Sequence, residues 1–302
     1  MSKAARLREQ SARERIAAQQ AAAKRAEMRR RGIIVGGSVL AVIAVVVALI
    51  VVYANKSNTP QKVAGGVHGT VLPASVAKDI TSVSAATLNA VGAGSISSSS
   101  PPVTPISGGT PLTSGGKPEL LYIGAEYCPY CAATRWSMAV ALSRFGSFTT
   151  PLRGFHSSSS DTDPNTPTVT FYQQGYKSNY LTFTPVENED INRNQLQKLT
   201  SQQQALWVKY DTIQTAQGPS QGYPFLYFGG KAALKNPPFD PGILKGLSWA
   251  QVAADLHNPS SPVAQAVLGA ANYMAAGICK MTGGTPAAVC TSSAVTKLES
   301  KV

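Results

Sequence analysis

Cys128 and Cys131, two of only four cysteines in 302 residues, stand two positions apart in GAEYCPYCAATRW (124–136). Sulfur attacks disulfides and binds metals as the thiolate. The pair is therefore open to three chemistries: reversible disulfide exchange, half of a metal site, or a structural bridge. Two cysteines within the first turn of a helix can close a small disulfide without unfolding anything. A helix N-terminus also offers partial positive charge and free N–H donors, which lower a cysteine pKa. In that setting Cys128, exposed at the helix end, is the nucleophile, and Cys131, one turn in, resolves the mixed disulfide. Tyr127, Pro129 and Tyr130 supply a flat apolar rim for a docking peptide.

Positioning such a pair requires a strand that ends where a helix begins. ELLYIGA is a short apolar run with the character of a buried strand. CAATRWSMAVALSRFG follows with helical spacing (Trp136 with Val140, Met138 with Leu142) and runs to Gly146. Pro129 falls near the first helical position, where proline is tolerated. TPTVTFYQQGY and NYLTFTPVE alternate as strands do, and residues 192–214 read as a helix. YPFLYFGGKAAL reads as two strands around Gly229-Gly230. A helix over 248–256 has Ser248 as N-cap, and a final helix ends near Cys279.

The compartment decides which cysteine chemistry applies. Residues 33–53 hold twenty-one uncharged, mostly apolar positions, enough to cross a hydrocarbon core of about 30 Å. Residues 1–32 carry ten Lys/Arg against three Asp/Glu. The positive-inside tendency puts them in the cytoplasm as a basic helix against the lipid bilayer, with everything after Tyr53 outside. That charged region and the apolar run are both too long for a cleaved signal peptide. Of the net charge of +12 only +5 belongs to the rest of the chain, so no nucleic-acid partner is implied. Residues 54–118 read as a Ser/Gly/Pro-rich linker with one or two short helices, its 94–118 stretch able to bury little. Outside a cytoplasm, Cys279 and Cys290, with ten residues between them, are expected to form a structural disulfide; a second redox pair is the sharper alternative.

YIGAEYCPYC resembles the active-site strand and turn of the thioredoxin superfamily, and its Pro-Tyr dipeptide is similar to that of glutaredoxins. GYPFLYFGGK resembles the same superfamily's cis-proline loop, strand and turn. The resemblance implies an α/β, thioredoxin-like fold over 119–302, with an inserted strand/helix segment at about 165–215, preceded by the single transmembrane helix. It also implies that Pro224 is cis and faces the cysteines, and that the Tyr223 backbone pairs with an extended substrate. One departure is plain: the superfamily's buried aspartate, six residues before the first cysteine, is replaced by Tyr122. The whole layout is similar to a membrane-anchored prokaryotic domain family of unknown function (929).

A Cys₄ zinc site would need a second Cys-x₂-Cys knuckle, which Cys279 and Cys290 do not provide, so neither metal nor cofactor is expected. His68, His156 and His257 form no ligand-spaced group, and each reads as a surface or satisfied histidine. Two functions remain open. One is a membrane-anchored, extracytoplasmic thiol–disulfide oxidoreductase acting on the thiols and disulfides of exported proteins, with a membrane redox partner. The other is a non-catalytic thioredoxin-fold module of a cell-envelope complex, whose Cys128–Cys131 bridge is stable.

Overall fold

The computed structural model describes residues 68–302. The expected basic helix (1–32), anchor (33–53) and first part of the linker lie outside the described residues. Among the described residues no helix is long and apolar enough to cross a membrane.

The chain opens with β1 (Thr70–Val71), α1 (Ala74–Thr81), α2 (Ala85–Val91), β2 (Val103–Pro105) and β3 (Thr113–Ser114). Next come β4 (Lys117–Ala125), α3 (Pro129–Ser143), β5 (Gly146–Phe148), β6 (Arg153–His156), β7 (Pro167–Thr170), β8 (Tyr176–Ser178) and β9 (Thr182–Glu189). The second half holds α4 (Ser201–Asp211), β10 (Thr212–Thr215), β11 (Gly218–Gln221), β12 (Phe225–Phe228) and β13 (Ala232–Leu234). It closes with α5 (Trp249–Asp255), α6 (Pro262–Met281), α7 (Ala287–Cys290) and α8 (Ser293–Thr296).

This is a mixed α/β architecture built on one six-stranded sheet. β2, β13, β12 and β4 neighbour one another in that order, β3 flanks the start of β4, and β9 pairs with β4 in parallel. β12 runs antiparallel to β4, with Phe225 opposite Ile123 and Phe228 opposite Leu120. Leu120, Tyr122, Leu226 and Phe228 pack on one face with Trp136 of α3 and Val267 of α6. Leu121, Ile123, Phe225 and Tyr227 pack on the other with Leu206 and Trp207 of α4. Covering both faces is what makes the central strands read as unbroken apolar runs rather than alternating ones.

α3 starts where β4 ends. Cys128 is its N-cap and Pro129 its first residue, where the missing N–H costs no helical bond. The helix is buried on nearly every side. Trp136 Nε1 donates to the Pro167 carbonyl, and Ser137 Oγ to that of Val267, both at 2.8 Å.

Two expectations about extent change. Residues 94–118, expected to bury little, reach the core: β2 pairs with β13, and Val103 and Leu112 are buried. α1 and α2 dock through Val76, Ile80, Leu88 and Val91. Gly94 permits that docking, since a Cβ there would sit 1.9 Å from the Gln265 carbonyl oxygen. A Ser/Gly-rich composition hides the few apolar residues that reach the core. The helix expected over 192–214 is confined to α4. Thr200 and Gln203 form a capping box at its start, and the Asp190 carboxylate accepts from Asn192 and Asn194 N–H at 2.8 Å, holding the preceding segment in a turn.

The β12–β13 hairpin turns at Gly229 and Gly230, both at positive φ. Cys279 and Cys290 are joined by a disulfide that ties the end of α6 to α7.

Candidate functional site

Cys128 and Cys131 are free thiols at the junction of β4 and α3. Cys128 Sγ accepts the Cys131 backbone N–H at 3.2 Å, a contact made by the free N–H donors of a helix start. It lies 4.0 Å from the Tyr223 carbonyl oxygen, and the Tyr223–Pro224 peptide is cis. The structure thus brings both sequence motifs to one point. It narrows one expectation: Cys128 is not an exposed helix end but is only 6% exposed, while Cys131 is fully buried. The flanking Tyr127, Tyr130 and Tyr223 pack around the sulfurs and take most of the surface that a bare helix terminus would leave open.

The two thiols differ in acidity. Hydrogen bonding from the Cys131 side chain holds the Cys128 pKa below the ordinary thiol value; burial opposes it, while the Cys131 and Tyr130 N–H groups and the Arg135 charge add to the lowering. Burial pushes the Cys131 thiol up, and the neighbouring Cys128 sulfur pushes the same way. The two environments therefore favour the thiolate at Cys128 and the thiol at Cys131.

Beneath the sulfurs lies a buried ion pair. Arg135 donates from Nε to Glu187 Oε1 at 2.8 Å and from Nη2 to Oε2 at 2.7 Å. Nη2 also donates to the Ala125 carbonyl at 2.8 Å. Both side chains have no exposed surface. Tyr122, standing where the resemblance would put an aspartate, is fully buried with its hydroxyl unpartnered. Glu126 is buried too, 3.3 Å from His68 Nδ1, and desolvation raises its pKa to about 8, with the Glu187 charge adding to the rise. Burial lowers the His68 pKa as it raises that of Glu126, so both partners are pushed toward their uncharged forms.

Cys128 opens onto a pocket of about 490 Å³ lined by Tyr127, Pro129, Tyr130 and Tyr223, all four expected from the sequence, and by Arg193 and Glu189. Arg193 lies 3.8 Å over the Tyr127 ring and pairs with Asp161. Trp207 of α4 stacks on Tyr223 at 5.0 Å, and the Tyr223 hydroxyl donates to Glu189 Oε1 at 3.0 Å. The segment between the two motifs thus braces the proline loop.

Cys279 and Cys290 are buried against the α6 core, apart from the pocket-lining set. Among the described residues no group of three or more His, Cys, Asp or Glu is placed to hold a metal ion.

Arg135, Glu187, Glu126 and Trp207 escaped the sequence reading, while His68, read as a surface or satisfied histidine, is partnered by Glu126. Arg135 left a signal: it is the one charge within an otherwise uncharged helix, one turn beyond Cys131.

A family model described as a domain of unknown function (DUF929) matches residues 106–280, more than half of the chain. No curated protein and no solved structure matches it.

Proposed function

Because the chain belongs to this family of unknown function, whose match spans Cys128, Cys131 and Pro224, its activity has to be read from the site, and we propose that it is a thiol–disulfide oxidoreductase. The observation that carries the reading is the position of Cys128 Sγ. It sits at a helix start, accepts a backbone N–H, faces the Tyr223 carbonyl and lines the pocket.

The Cys128 thiolate attacks one sulfur of a substrate disulfide. The substrate S–S bond breaks, a mixed disulfide forms, and the departing sulfur takes up a proton. Cys131 then loses its proton and attacks Cys128 Sγ, releasing the second substrate thiol and closing Cys128–Cys131. Two electrons pass from the dithiol to the substrate with no cofactor, and the reverse sequence oxidises a substrate dithiol. An extended peptide laid along Tyr223, between Tyr127 and Tyr130, puts its sulfur at Cys128. The β4–α3 junction, the parallel β4–β9 pair and the β12–β13 hairpin support a thioredoxin-like reading of the fold. The apolar run at 33–53 supports a membrane anchor with this domain outside, where exported proteins are the substrates.

A non-catalytic envelope module is favoured by one observation, the 6% exposure of Cys128. Trapping separates the two readings. The full chain carrying Cys131→Ala is expected to accumulate partner proteins disulfide-linked to Cys128, released by a small thiol and lost when Cys128 is also replaced. An empty trap in intact cells leaves the module.

A further inference from the structure

Arg135 has no part in the exchange steps, yet it is the charge built deepest under them. It lies four residues after Cys131 in α3, on the same helix face. Nη2 donates to the Ala125 carbonyl, which also accepts the Cys128 N–H at 3.3 Å, so the guanidinium is fastened to the turn that presents Cys128. Nη1 is buried with no hydrogen-bond partner. Glu187 grips the other edge with both carboxylate oxygens, and its Oε1 also accepts from the Phe171 N–H at 3.3 Å. A buried ion pair returns little net stability, because desolvating two charges offsets their attraction. Core packing is therefore a weak reason for one here.

We propose that Arg135 is a positioning residue for the Cys128 thiolate: a buried cation, held in place by Glu187, that stabilises negative sulfur. The inference rests on the disulfide-exchange reading and assigns the charge that tunes it. The other ionisable groups around the sulfurs are Tyr122 from β4, Glu126 and Tyr127 from the turn, Glu187 and Glu189 from β9, Tyr223 from the proline loop, Tyr130 and Cys131 from α3, and Asp161 and Arg193 at the pocket mouth. Of these, Arg193 is the other cation, and it is partnered by Asp161 and exposed. The Arg135 charge acts to lower the pKa of both thiols, which supports the assignment.

The test is the pH dependence of Cys128 alkylation in the reduced full chain, which needs no substrate. Arg135→Met is expected to cut the thiolate fraction at pH 7 about tenfold, the lower end of what one opposite charge does to a neighbouring acid. Glu187→Gln preserves shape and an acceptor for Arg135 while removing the counter-charge, and is expected to raise that fraction. Opposite movement is the signature of charge. Loss in both variants, or no change in either, overturns the proposal. Should Arg135→Met fail to fold, Glu187→Gln decides alone: a raised fraction upholds the assignment, and an unchanged or lowered one ends it. An empty mixed-disulfide trap alongside these shifts would sink the exchange reading and leave the electrostatic assignment standing.

Discussion

Glu126 stands two residues before Cys128 with no exposed surface, touching His68 and Thr170. Its carboxyl titrates at about 8 in the fold, against 4.5 ordinarily, because burial and the Glu187 charge penalise the anion. The folded state therefore binds a proton that the unfolded chain releases at about 4.5. Stability from this group is fully present below that pH and is lost as pH rises through the folded value. The slope is at most about 1.4 kcal/mol per pH unit. Denaturant unfolding of the full chain between pH 5 and 8 is expected to show this decline, and Glu126→Gln to flatten it; parallel pH profiles for the two proteins would refute the assignment. The sequence showed this glutamate beside the cysteines but not its burial, which depends on His68 and β7 folding over it. Arg135 with Glu187 was hidden for a similar reason. Their partnership spans 52 positions and exists only because β9 lies parallel to β4. The cysteine pair and its tyrosine rim were legible from their immediate neighbours, and Pro224 through the resemblance of GYPFLYFGGK to a cis-proline loop.

At the scale of elements, local chemistry was readable and long-range docking was not. Ser248 caps α5 with Gln251, and Gly229-Gly230 turns the β12–β13 hairpin, both as their residue types dictate. α2 is different. Seven residues cannot hold a helix in water on propensity, so this one depends on what it meets. Asn272, buried in α6, donates to the Leu88 carbonyl at 2.9 Å and the Gly92 carbonyl at 2.8 Å. Its Oδ1 accepts from Arg144 Nη1 at 3.1 Å, tying α2, α3 and α6 together. Asn272→Leu keeps the volume but removes a partner from the Gly92 carbonyl and from the half-buried Arg144 guanidinium. The expected cost is roughly 2 to 4 kcal/mol, read as a lower denaturant midpoint at unchanged m-value. A loss under about 0.5 kcal/mol, the range of ordinary surface changes, would mean α2 docks by apolar contact alone.

Across the whole molecule, the segment before β4 is part of the domain that carries the site. β2 supplies an edge strand to the main sheet, and α1 and α2 lie over the core that α3 and α6 share. Gly69 accepts from Arg153 at 2.8 Å, β1 pairs with β6, and His68 reaches Glu126. The first described residue, His68, therefore meets the rest of the domain at Glu126, two residues before Cys128. A chain beginning at His68 keeps every one of these contacts and is expected to unfold cooperatively, with full-length Cys128 alkylation kinetics. A chain beginning at Lys117 keeps both cysteines, the proline loop and α6, yet exposes the β13 edge and the apolar surfaces under Ile80, Leu88 and Val103, each almost wholly buried in the native fold. An uncovered strand edge beside bare core surface favours association over folding. That shorter chain is expected to lose its sharp thermal transition, and its Cys128 to titrate like an ordinary thiol, because the start of α3 is no longer held against the sheet. If it instead melts sharply and retains the acidic Cys128, the region before β4 is an accessory to the site rather than a support for it.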